Sequence, residues 1–160
     1  MVLRRFLNRQ DTAGVIAPPP LIYLSGWVAG WLLNKLYPLP FLPTALTWPV
    51  GGLLMVCGVL CAALAFRAMR RAHTPVDPYS PTMALVVEGP YRYTRNPLYL
   101  ALTLFYITLA AVVNSAWPLL LLPLVLLMIQ RGVIAREERY LEQKFCEQYL
   151  RYKSKVRRWL

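Results

Sequence analysis

The chain has 160 residues, 58% of them hydrophobic, and a formal net charge of +11. A soluble domain of this length buries one core under a mostly polar surface, but here the apolar residues fall into blocks with hardly a charge inside them. That pattern excludes an ordinary soluble domain. It also argues against a nucleic-acid binder, because a membrane protein draws a basic bias from its cytoplasmic loops anyway.

Residues 1–20, "MVLRRFLNRQDTAGVIAPPP", carry arginines but no apolar core followed by a small-residue cleavage site. They read as a retained cytoplasmic leader. After the Pro18-Pro19-Pro20 break, a first apolar segment runs from about Leu21 to Tyr37, and a second, the longest, from about Ala45 to Phe66. A proline-rich linker over 67–96 turns apolar at Met83 to Val87. A third segment begins at Pro97 and ends near Val113. A fourth, about Trp117 to Ile129, contains Pro118 and Pro123. A helix needs about 20 residues, at ~1.5 Å each, to cross ~30 Å of hydrocarbon. The last two are short for that and form a hairpin turning at Asn114-Ser115, with tilt or polar flanks supplying the missing length.

From Val133 onward, Ile134, Leu141, Phe145, Tyr149, Tyr152, Val156 and Trp159 recur at helical spacing. The expected fold is therefore all-α: an integral membrane protein of about four transmembrane helices plus a C-terminal amphipathic cytoplasmic helix. It forms one domain over 1–160, with spans in 21–66, a hairpin over 97–130 and a tail over 131–160. Arginines flank the leader, linker and tail sides of the spans, and the opposite side holds only Lys35. Both termini are expected in the cytoplasm.

Gly26 with Gly30, and Gly58 with Ala62, give small-xxx-small spacings that fit packing within one chain or a dimer face. Cys57, Cys61 and Cys146 make no disulfide framework, and the first two read as small buried thiols. With His73 the one histidine, no metal site is expected.

The chemistry concentrates at "GPYRYTRNPLY", Gly89 to Tyr99. Asn96 is placed to cap a helix whose first residue is Pro97. The free N–H groups there, with Arg95 beside them, suit a carboxylate. Tyr91, Tyr93 and Tyr99 offer flat amphipathic surfaces, which an interfacial aromatic belt would also explain. In the tail, Glu142 follows Arg139 by three and Glu147 precedes Arg151 by four, both ordinary helix pairs. Glu137 and Glu138 have no basic residue at those distances, although they border the apolar stripe. They need a cation, from Arg92, Arg95, Arg131 or a ligand. S-adenosylmethionine, with a carboxylate, an ammonium, a ribose and an adenine, matches that set. No G-x-G-x-x-G fingerprint accompanies it.

"MALVVEGPYRYTRNPLYL" followed by "REERYLEQKFCEQYLRYKSKVRRW" resembles the isoprenylcysteine carboxyl methyltransferase family, its bacterial relatives and the related phospholipid methyltransferases. The resemblance covers Met83 to Trp159 strongly and the N-terminal half only as hydropathy. It implies an integral-membrane enzyme using S-adenosylmethionine without a Rossmann domain. It further implies that Met83, Ala84, Leu85 and Val86 line the cofactor, that Tyr91, Asn96, Pro97, Leu98 and Tyr99 touch it, and that Glu137 holds its polar end. Asn96 stands where the eukaryotic family has histidine. Val133 stands at the place of an acceptor-binding arginine, for which Arg131 or Arg136 could substitute. Cys146 replaces a glycine and Arg157 a proline of the family's tail motif. Arg95, Glu138 and Arg131 are the expected catalytic set.

The implied activity is methyl transfer to a lipophilic acceptor, a small molecule or a lipidated one, at the cytoplasmic face. A carboxylate acceptor needs no base, whereas an amine must first lose a proton, to Glu138 or a tyrosine. The alternatives are a phospholipid or other lipid-amine N-methyltransferase, and a non-catalytic membrane scaffold. Membrane lipids are expected partners and nucleic acid is not.

Overall fold

The computed structural model describes residues 13–76 and 80–160. The leader arginines Arg4, Arg5 and Arg9 and the linker residues 77–79 lie outside that range. Among the described residues all regular structure is helical: α1 (Pro19–Leu36), α2 (Thr44–Arg71), a 3-10 turn (Gly89–Arg92), α3 (Pro97–Val112), α4 (Ala116–Ile129), a π-turn (Gln130–Ile134) and α5 (Ala135–Lys155). Proline opens α1 and α3, where the missing N–H costs nothing.

α2 outruns its apolar block because its last turn, with Arg70 and Arg71, is still helical. Cations at that end suit the helix dipole. It closes with paired bonds, His73 N to Arg70 O at 3.1 Å and Thr74 N to Met69 O at 3.0 Å, and His73 takes φ +49°. The end of α3 repeats the device: Asn114 N meets Ala111 O at 3.1 Å, Ser115 N meets Ala110 O at 3.0 Å, and Asn114 has φ +51°. This is the left-handed stop that satisfies the last carbonyls of a helix.

α2 packs along α3, α1 along α4, and α3 touches both α1 and α4. Small residues set the close approaches. A Cβ on Gly30 would lie 2.6 Å from the Pro118 nitrogen, and one on Gly58 2.6 Å from the Phe105 ring. Among the described residues, then, both small-residue spacings serve packing within the chain. Tyr23, Tyr106, Val125, Ile129, Val133 and Ile134 form the core, and Tyr106 donates its hydroxyl to Pro118 O at 2.8 Å. Leu53, Val56, Leu60 and Leu64 on α2 remain exposed, a face suited to lipid. Cys57 shares that exposure, so the buried-thiol expectation fails for it. Cys61 instead donates to Pro97 O at 3.2 Å.

Two helical stretches, Thr44–Arg71 and the run from Ala116 through the π-turn to Lys155, are long and apolar enough to cross a membrane. At one end of the bundle the connections are sewn together. Asn114 Oδ1 accepts from Phe41 N at 3.1 Å and Leu42 N at 2.9 Å, and its amide donates to Leu42 O at 2.9 Å. Ala116 N adds a 2.8 Å bond to Leu39 O. The expected hairpin turn at Asn114-Ser115 is present, joined to the loop between α1 and α2.

The tail departs from the single amphipathic helix expected of it. Cys146 breaks α5 with φ +43° and ψ −120°. Beyond this bend the chain turns back, so that Lys153 reaches Glu142 at 2.5 Å. Glu142 therefore pairs across the bend and not with Arg139, while Glu147–Arg151 forms as expected at 3.8 Å. Val156 is extended and ends the helix, so Val156 and Trp159 are not helical positions.

Candidate functional site

The other end of the bundle is closed by the tail. Arg95 N bonds Arg157 O at 3.0 Å. The Thr94 hydroxyl and the Asn96 amide reach Arg158 O at 3.1 and 2.9 Å, and the Tyr152 hydroxyl reaches Tyr91 O at 2.7 Å. Asn96 does hold the N-cap position of α3, but its side chain makes no cap bond. Its amide is committed to the tail, which corrects the capping expectation.

Beneath this clamp lies a cavity of about 440 Å³. Ala62, Phe66 and Met69 of α2, Leu98, Ala101, Leu102 and Phe105 of α3, and Pro19 and Pro20 of α1 make its apolar walls. Ala84, Leu85 and Val86 come from the linker. Tyr91, Arg95, Asn96, Pro97 and Tyr99 come from the collar, and Glu137, Glu138, Tyr149 and Tyr152 from α5. Eleven residues singled out from the sequence thus share one cavity wall. Met83, 71% exposed, and Arg131, exposed on the π-turn, do not line it. Arg136 also turns away, donating to Gly14 O at 2.7 Å.

The two neighbouring glutamates differ sharply. Glu138 is buried and gripped by Arg158, whose Nε meets Oε1 at 3.0 Å and whose Nη2 meets Oε2 at 2.5 Å. Arg95 Nη1 stands 3.2 Å from the same Oε1, off line for a hydrogen bond, and Arg95 Nε and Nη1 are buried without a hydrogen-bond partner. Of the cations expected for Glu138, Arg95 is one that meets it. Arg158 was not among the cations weighed for it, because the bend at Cys146 that delivers it leaves no trace in helical spacing.

Glu137 accepts a 2.6 Å hydrogen bond from the Tyr99 hydroxyl, and among the described residues it has no ion-pair partner. Burial pushes its carboxyl up to about 7, against the Tyr99 bond, which lowers it, and with a further push from Glu138. Burial also raises the Tyr91 and Tyr152 phenols, so both stay protonated hydroxyls at neutral pH.

An apolar-walled cavity with an arginine, two carboxylates and several phenols thus lies at one end of a helical bundle that has two helices long and apolar enough to cross a membrane. The chain belongs to the phospholipid methyltransferase family, whose sequence model matches residues 46–148. An uncharacterized protein of Haemophilus influenzae is 43% identical over 63 residues, which are 39% of this chain and the whole of that protein. No solved structure matches the chain significantly. The protein is thus a member of a family of membrane methyltransferases.

Proposed function

We propose that the protein methylates a lipophilic acceptor at the cytoplasmic membrane face, with S-adenosylmethionine as donor. The observation that carries this reading is Glu137, a cavity carboxylate without an ion-pair partner among the described residues, in the same wall as Arg95, whose buried Nε has no hydrogen-bond partner. The cavity's size lies in the range of small-molecule sites. The donor set fits: Glu137 for an ammonium or ribose hydroxyl, Arg95 for a carboxylate, and Tyr91 with Leu98 for a flat ring. When bound, S-adenosylmethionine supplies a methyl group already activated by its sulfonium. The chain's own work is alignment and the exclusion of water, which the walls from α2 and α3 provide.

Both oxygens of Glu138 are committed to guanidiniums, Oε1 to Arg95 and Arg158 and Oε2 to Arg158. We assign it a positioning role, holding Arg95 in the wall and the tail across it. Arg131, away from the cavity, has no part in this reading. The family match favours a phospholipid amine as acceptor over an isoprenylcysteine-type carboxylate.

The test is methyl transfer from isotopically labelled S-adenosylmethionine into total membrane extracts, followed by identification of the product. Label in an amine headgroup is expected. A base-labile methyl ester would move the assignment to a carboxylate acceptor, and folded protein that binds no cofactor in calorimetry would leave only the scaffold.

A further inference from the structure

One face of α2 extends past the cavity. Ala63 lies three and four residues before Phe66 and Arg67, and these lie three to five before Arg70 and Arg71, so all five share one side of the helix, where they border a shallow, open groove. Its start is apolar and its end carries three guanidiniums. All three arginines are exposed, and among the described residues none has a hydrogen-bond or ion-pair partner.

The groove begins where the exposed apolar face of α2, ending at Leu64, gives way to charge. In a membrane that boundary is where acyl chains meet headgroups. The partial negative charge of a helix C-terminus, about half an elementary charge, cannot balance three cations. A planar guanidinium grips phosphate oxygens two at a time, which an ammonium cannot do. We propose that this groove binds an anionic phospholipid, with its phosphate on Arg67, Arg70 and Arg71 and its chain against Ala63 and Phe66. Phe66 is also a wall of the large cavity, so the bound lipid abuts that cavity without entering it. The site does not depend on methyl transfer, and its test uses none.

Native mass spectrometry of the purified full chain, with phosphatidylglycerol or phosphatidylcholine of identical acyl chains added, reads retention directly. Wild-type protein should retain phosphatidylglycerol selectively. Arg67→Gln, Arg70→Gln and Arg71→Gln should each weaken that retention roughly fivefold, and the triple variant should lose the preference. Glycerophosphoglycerol, the headgroup without chains, should compete poorly. Equal retention of both lipids by wild type overturns the proposal. So does an unchanged preference in the triple variant with wild-type circular dichroism, or competition by the bare headgroup as strong as by the lipid. Should the triple variant misfold, the wild-type preference and the three single variants still decide.

Discussion

Tyr99 hands Glu137 a hydrogen bond of 2.6 Å, while one residue along the chain Glu138 sits between Arg95 and Arg158. Substituting each by glutamine should therefore fail in a different way. Glu137→Gln removes the charge assigned to the ligand, and a charge-assisted hydrogen bond contributes about 1.5–3 kcal/mol. Cofactor affinity should fall roughly tenfold or more in calorimetry, with the fold intact. The Glu137 carboxyl ordinarily titrates at 4.5 and is raised to about 7 in the fold, so between those values the folded state holds more protons than the unfolded one. Its contribution to stability is full below about 4.5 and is lost as pH rises to about 7. Cofactor affinity should run the other way, strengthening as pH rises through about 7. Both slopes should vanish in Glu137→Gln, and their persistence would reassign the titration. Glu138→Gln leaves the buried Arg95 guanidinium without its counter-charge, a change that costs about 3–5 kcal/mol at buried pairs. It should appear chiefly as a lower Tm.

At the scale of elements, the bend at Cys146 decides where the tail can reach. Its φ and ψ belong to a region that glycine enters freely and a side chain enters at about 1–3 kcal/mol. Cys146→Gly should leave the bend in place and raise Tm, even after about 1 kcal/mol of extra chain entropy; a fall in Tm would mean that the thiol contributes contacts worth more than the strain. The helices themselves were legible in the sequence. Apolar runs, Pro97 at a first turn and Asn114 at a stop each act locally. The cavity wall was largely legible too, since collar and linker carry their chemistry in consecutive residues. What stayed hidden depends on the bend: Arg158 on Glu138, Lys153 on Glu142 and the Asn96 amide on the tail. The helical spacing of the apolar residues from Ile134 to Trp159 runs through Cys146 without registering that the backbone turns there. Arg131 is exposed on the π-turn and does not line the cavity.

For the whole molecule, the loop between α1 and α2 and the turn after α3 are tied at one end, and the cavity lies at the other. We propose, from the arginine distribution, that the cavity end faces the cytoplasm. In a background carrying Cys57→Ala, Cys61→Ala and Cys146→Gly, a cysteine at Leu36, 71% exposed, should react with a membrane-impermeant maleimide from outside intact cells. Reaction only after lysis would reverse the orientation. The clamp of the tail on the collar also fixes an order of manufacture. Asn96 leaves the ribosome 62 residues ahead of Arg158, the carbonyl its amide will need. Through that interval the Arg95 amide and the Asn96 side-chain amide lack the tail carbonyls they meet in the fold, while the Thr94 hydroxyl keeps only its local bond from Asn96 N. A chain cut short before Arg158 would lack the carbonyl that the Thr94 hydroxyl and the Asn96 amide meet, and should leave that end of the cavity unroofed.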